Sequence, residues 1–191
     1  MSDSDEKKAI PCKVVLIGES GVGKTSIISR YMTDTFSATL GSTPGANFTT
    51  KTVFLKDENQ SIKFEIWDTA GQERFRSVSL QGLRGVHGVV LVFSVIDYNS
   101  FQNLDLWLKE ISDRVGNNMP IVLFGNKIDL PKENWEVTNE QAKEFAKLHN
   151  LAYFETSGKT KLGINEGFSY IVNESYKRLE EIGRASCRER V

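Results

Sequence analysis

Eight residues near the amino end, Gly18-Glu19-Ser20-Gly21-Val22-Gly23-Lys24-Thr25, fit the pattern G-x4-G-K-[ST]. An apolar run, Cys12 to Ile17, leads into them, and a helix-like segment, Lys24 to Tyr31, leads away. Strand, glycine loop and helix start are the context this chemistry requires. Glycines let successive backbone N–H groups curl around phosphate oxygens, and the helix N-terminus adds positive potential. Lys24 is placed to reach terminal phosphates, Thr25 offers a hydroxyl to Mg²⁺, and Ser26 continues the segment into the helix. With glycine near 7% of residues, a chance match in a chain of this length has a probability on the order of one in a hundred. The motif implies a nucleoside triphosphate site.

Asp68 closes a second apolar strand, where its carboxylate can face the Thr25 hydroxyl across a magnesium ion. Thr69-Ala70-Gly71-Gln72-Glu73-Arg74 follows. Gly71 permits close backbone approach to a γ-phosphate, and Gln72 can orient an attacking water. A third cluster, Asn126-Lys127-Ile128-Asp129, comes after the apolar run Ile121 to Phe124, so its polar groups emerge at the carboxyl edge of a sheet. A carboxylate there accepts from both N1–H and the exocyclic amine of guanine, a donor pair that adenine lacks. The base implied is guanine.

The elements that must position these groups follow from periodicity. Strands are predicted over Cys12 to Ile17, Phe48 to Leu55, Ile62 to Trp67, Val89 to Val95, Ile121 to Phe124 and Leu151 to Phe154. The second and third alternate apolar and polar residues around the turn Asp57-Glu58-Asn59 and form a hairpin; the fourth and fifth are continuous apolar runs buried on both faces. Helical spacing is predicted for Lys24 to Tyr31, Phe101 to Val115, Glu140 to His149 and Ile164 to Ile182. Repeated strand-helix units give an α/β fold: a six-stranded, mainly parallel, doubly wound sheet with one antiparallel hairpin and helices on both faces.

Taken together, residues Lys13 to Glu181 resemble a small GTPase of the Ras superfamily, most closely the Rab family. Phe64-Glu65-Ile66-Trp67-Asp68-Thr69-Ala70-Gly71-Gln72-Glu73-Arg74-Phe75 is similar to the Rab form of that segment. Trp107-Leu108-Lys109-Glu110-Ile111 is similar to the third Rab helix. Glu155-Thr156-Ser157-Gly158-Lys159 resembles the last guanine-contact loop, and no Rho-type insert follows Asp129. The resemblance implies a single P-loop GTPase domain that uses GTP, GDP and Mg²⁺. It implies nucleotide contacts from Ser157, Gly158 and Lys159, Phe36 edge-on against guanine, and Thr43 joining Thr25 and Asp68 around the metal. It also implies effectors, a guanine nucleotide exchange factor and a GTPase-activating protein as partners, in vesicle traffic.

Two departures stand out. Pro44 sits where Rab proteins usually carry isoleucine, removing a backbone donor and biasing Thr43 toward extended geometry. Gly82-Leu83 replaces a tyrosine pair, so the aromatic triad of that family keeps Phe48 and Trp67 and loses its third member; a glycine there, if helical, costs about 1 kcal/mol against alanine.

The chain has 191 residues, 39% hydrophobic and 26% charged, enough for one domain with a substantial core. The expected division is a disordered tail over 1–11, the GTPase domain over 12–182 and a short flexible tail over 183–191. Charges nearly cancel, 24 basic against 25 acidic for a net −1, which gives nucleic acid no basic field to bind. Cys12 and Cys187 lack the spacing of a zinc site or disulfide scaffold. No apolar h-region follows the charged start, and no apolar run reaches the ~18 residues of a membrane span. Cys187 stands one place too early for a C-a-a-X box, Met1-Ser2 excludes the myristoylation pattern, and Arg184, Arg188 and Arg190 are diluted by Glu189. A cytoplasmic monomer without its own membrane anchor is the expectation, with a peripheral place on intracellular membranes where a full-length form is prenylated. Two other readings stay open: a P-loop phosphotransferase, which leaves Asp129 without a reason, and a nucleotide-locked interaction module, for which Pro44 and Gly82 are the hints.

Overall fold

A computed structural model of the chain describes residues 8–38, 47–69 and 82–188. Within it, strands β1 (Ile10–Ile17), β2 (Asn47–Leu55), β3 (Gln60–Asp68), β4 (Gly88–Ser94), β5 (Ile121–Asn126) and β6 (Ala152–Thr156) form a six-stranded sheet. Its order is β2-β3-β1-β4-β5-β6. All neighbours are parallel except β2 and β3, whose hairpin pairs Phe48 with Trp67 and Leu55 with Gln60. Strand order therefore reverses beside β1, and the crevice at the carboxyl ends of β1, β4 and β5 is where open α/β sheets bind ligands.

The helices are α1 (Lys24–Thr33), α2 (Tyr98–Gln102), α3 (Leu104–Val115), α4 (Asn139–Leu148) and α5 (Ile164–Arg188). Alternation along the central strands divides the core in two. Val14, Leu16, Val90, Val92 and Phe124 point to one face and meet Ile27 of α1 with Phe168 and Ile171 of α5. Val15, Ile17, Leu91, Phe93 and Leu123 point to the other and meet Leu104, Trp107 and Ile111 of α3 with Ala142 and Ala146 of α4. Every residue of β4 is buried, which is why its sequence is a continuous apolar run. On the first face Phe168 stacks on Tyr31 at 4.2 Å and meets Phe124 edge-on at 5.8 Å, pinning α1 and α5 to the sheet.

Several boundaries differ from the sequence reading, each for a local reason. The helix predicted from Phe101 starts at Tyr98, because Asp97 caps it by accepting from the Ser100 N–H at 3.2 Å, and it is interrupted at Asn103. β5 continues through Gly125 to Asn126, where pairing with β4 and β6 outweighs the loss of apolar character. β1 begins at Ile10, inside the expected tail, since Ile10 and Pro11 pair with Ile62 and Lys63. The last helix passes Gly183 and runs to Arg188, six residues beyond the expected end at Ile182, with the Arg184–Glu180 pair at 3.3 Å supporting the added turn. Gly82 and Leu83 lie in a non-helical turn closed by Val86 N–H on the Leu83 carbonyl, so the helical glycine penalty does not apply there. Leu83 is buried in the core under α3. Cys12 is also buried, and burial pushes its thiol up to about 11, the behaviour of a packing residue rather than a reactive one.

Candidate nucleotide site

The loop between β1 and α1 is built by backbone conformations that glycine supplies. Gly23, the residue before α1, has φ +101°, and a Cβ there would meet the Asn126 side-chain nitrogen. Gly21 has φ +76° and open space beside it. Gly23 gives α1 no side-chain cap, and a helix N-terminus of this kind is suited to an anion. Lys24 is 5% exposed, and its ammonium donates to the carbonyls of Gly18 and Glu19, each at 2.8 Å. Burial pulls its pKa down to about 8, against the opposing charges of Asp68 and Glu19. A buried cation at the mouth of a glycine cradle is an anion site.

Beside it the Thr25 hydroxyl donates to Asp68 Oδ2 at 2.5 Å, joining the start of α1 to the end of β3. At the end of β5, Asn126 is 2% exposed. Its amide donates to the Val22 carbonyl at 2.8 Å, and its Oδ1 accepts from the Gly158 N–H at 3.2 Å. One side chain thus ties the phosphate-side loop to the loop after β6. Lys127 adopts φ +71° immediately after. Asp129 Oδ1 accepts from the Ser157 hydroxyl at 2.6 Å.

These groups surround one cavity of about 470 Å³, in the size range of small-ligand sites. Ser20, Gly21, Gly23, Lys24, Thr25 and Ser26 line one end; Asn126, Lys127, Asp129, Gly158 and Lys159 line the other, with Phe36 at the rim and 39% exposed. Asp68, nearly buried, and Val22 and Ser157, fully buried, do not line it and reach the site through the bonds just given. Thr43, Pro44, Gly71 and Gln72 lie outside the described residues. The arrangement fits a nucleoside polyphosphate with its metal: a buried ammonium and a glycine cradle at one end, a hydroxyl and carboxylate pair beside them, and a carboxylate acceptor at the far end.

Sequence reading missed several participants. Ser37, Ala38, Thr69 and Leu130 also line the cavity, and the Thr69 hydroxyl is held by the Leu16 carbonyl at 2.6 Å. Glu19 accepts from Asn103 at 3.1 Å and from the Trp107 indole at 3.0 Å, anchoring the phosphate-side loop to α3. No spacing signals contacts between residues 84 and 88 positions apart.

The Ras family profile matches residues 13–177. The chain is 40% identical over 162 residues to Ras-related protein Rab-13 of Rattus norvegicus, a match covering 85% of this chain and 78% of that protein. It is 41% identical over 168 residues to Ras-related protein Rab-11B of Dictyostelium discoideum, covering 88% and 75%. Over 173 residues it is 40% identical to Ras-related protein RABA2a of Arabidopsis thaliana, covering 91% and 78%. The chain belongs to the Ras family as a Rab-like small GTPase, a GTP hydrolase of the kind that switches membrane traffic.

Proposed function

We propose that the chain binds Mg²⁺·GTP in the cavity described, hydrolyses it slowly, and engages effectors in the triphosphate state. The observation that carries this is a single cavity bounded by the Lys24 cradle at one end and Asp129 at the other. Glycine backbone and the first turn of α1 cradle the β-phosphate, and Lys24 neutralises the terminal phosphates. Thr25 and Asp68 would hold the metal, with Thr43 as the third participant, and Mg²⁺ bound there would supply charge neutralisation for the phosphates. Asp129, oriented by Ser157, reads the guanine edge, while Asn126 and the Ser157-Gly158-Lys159 loop close the base end and Phe36 covers it. Gln72 orients the attacking water and Gly71 contacts the γ-phosphate. Hydrolysis removes the contacts of Thr43 and Gly71, releasing the segments that carry them. An exchange factor, an activating protein and effectors at the Phe48–Trp67 surface complete the switch; those two rings stack at 4.9 Å and Phe48 is 52% exposed.

Asp129→Asn tests the assignment of the base. Exchanging carboxylate for amide replaces an acceptor with a donor, so preference shifts from guanine to xanthine nucleotides by a factor on the order of a hundred. Competition binding with GDP and XDP reads it directly. Retention of guanine preference in that variant refutes the role given to Asp129.

A further inference from the structure

Arg30, on the last turn of α1, is a second link, besides Asn126, between the phosphate-side helix and the loop after β6. Its side chain is 16% exposed. Nε donates to the Gly158 carbonyl at 3.1 Å and Nη2 to the Lys159 carbonyl at 2.6 Å. Nη1 donates to the Asp34 carbonyl at 2.9 Å and to its carboxylate at 3.3 Å, and Lys161 holds the same carboxylate at 3.2 Å. The guanidinium is therefore fixed from behind while it grips two consecutive peptide groups, a task suited to its planar fork.

Peptide planarity gives that grip a direction. In a trans peptide the C=O and the following N–H point oppositely, so holding the Lys159 carbonyl toward Arg30 turns the Thr160 N–H away from it. That N–H donates to the Ser157 hydroxyl oxygen at 3.0 Å, and the hydroxyl in turn donates to Asp129 Oδ1 at 2.6 Å. Donation into an oxygen strengthens the bond its own proton makes, so the chain is cooperative and ends on the carboxylate. The Gly158 carbonyl fixes the Lys159 N–H in the same manner, and both residues line the cavity.

We propose that Arg30 is a positioning residue for base selectivity, fixing the Asp129 carboxylate through the Lys159–Thr160 peptide and the Ser157 hydroxyl. This rests on the reading of Asp129 as the guanine-recognising group. Arg30 is not among the residues that line the cavity, and it acts only by holding the loop that does.

The test compares affinity for GDP with affinity for inosine diphosphate, which lacks the exocyclic amine that Asp129 accepts from. In Arg30→Met the preference for GDP falls about tenfold, because one charge-assisted contact is misplaced while the rest of the nucleotide binds as before. Ser157→Ala lowers the same ratio, and the double variant lowers it no further, since both act on one chain of bonds. Arg30→Lys retains the charge with a single donor group and loses part of the preference; it decides the matter if Arg30→Met does not fold. Affinities for both nucleotides falling in parallel, or an unchanged ratio in the Arg30 variants, overturn the proposal and leave Asp129 as the reader of guanine. A wild-type protein that binds GDP and inosine diphosphate equally overturns both assignments together.

Discussion

Lys24 is a nearly buried cation, and its titration gives the site a pH signature. In the ligand-free protein burial holds its pKa near 8, below the ordinary 10.5. Phosphate oxygens favour the charged amine, so nucleotide binding raises that value. Above pH 8 binding must therefore take up a proton, and affinity weakens as pH rises through that range. The folding side has the opposite sign: between 8 and 10.5 the unfolded chain holds more protons on this lysine than the native one, so the ligand-free protein gains stability from this group as pH rises across that window. Titration calorimetry just above pH 8 in buffers of different ionisation enthalpy reads the uptake, and Lys24→Arg abolishes it. Heats independent of buffer contradict the assignment. Gln72 has a different signature, because it acts on the water and not on the ground state. Gln72→Leu slows single-turnover GTP hydrolysis roughly tenfold or more with GTP affinity unchanged. An unaltered rate assigns the water to another group. Lys24, Thr25, Asp68, Asn126 and Asp129 were legible in the sequence because each belongs to a motif whose chemistry fixes its spacing. Glu19 and Arg30 were not, since their partners are remote in sequence and are brought close only by packing.

At the scale of elements, the site depends on how strand ends hand over to helix starts. β1 ends one residue before Gly18, where a Cβ would collide with the Val92 carbonyl of β4, so the loop leaves the sheet in close contact with its neighbour. Gly23 then turns the chain into α1 against Asn126 at the end of β5. Gly23→Ala forces a side chain into left-handed backbone and displaces Asn126 from the Val22 carbonyl. It costs about 1–3 kcal/mol of stability and weakens GDP binding along with it, as thermal unfolding and nucleotide release rates will record. Normal nucleotide affinity in that variant shows that Asn126 does not couple the two loops. Periodicity located all six strands and the principal helices. It failed at element ends, where Asp97 capping, the ladder at Gly125 and Asn126, and the Arg184–Glu180 pair decide the boundary. The last helix was expected to end at Ile182 and instead runs through Gly183 to Arg188.

The molecule as a whole is a sheet with a core on each face and its chemistry at one edge. Both cores converge on that edge: α1 and α5 fix the phosphate loop and the base loop from one side, while α3 anchors Glu19 from the other. Among the described residues no helix is long and apolar enough to cross a membrane. The sequence foretold this architecture because strands buried on both faces read as uninterrupted apolar runs, and a sheet of parallel strands needs helices on both sides. The gathering of the separated loops at one nucleotide was implied by the motifs and the resemblance; the strand order that brings them there, β2-β3-β1-β4-β5-β6, is what periodicity alone lacks. The proposed function makes guanine selectivity and hydrolysis properties of that one site. Single-turnover hydrolysis by the purified chain with Mg²⁺, with GTP and ATP measured side by side, tests the claim most directly. Slow conversion of GTP to GDP and phosphate, with ATP neither bound nor hydrolysed at the same concentration, is the predicted result; equal handling of the two nucleotides, or stable GTP binding with no turnover, would contradict it.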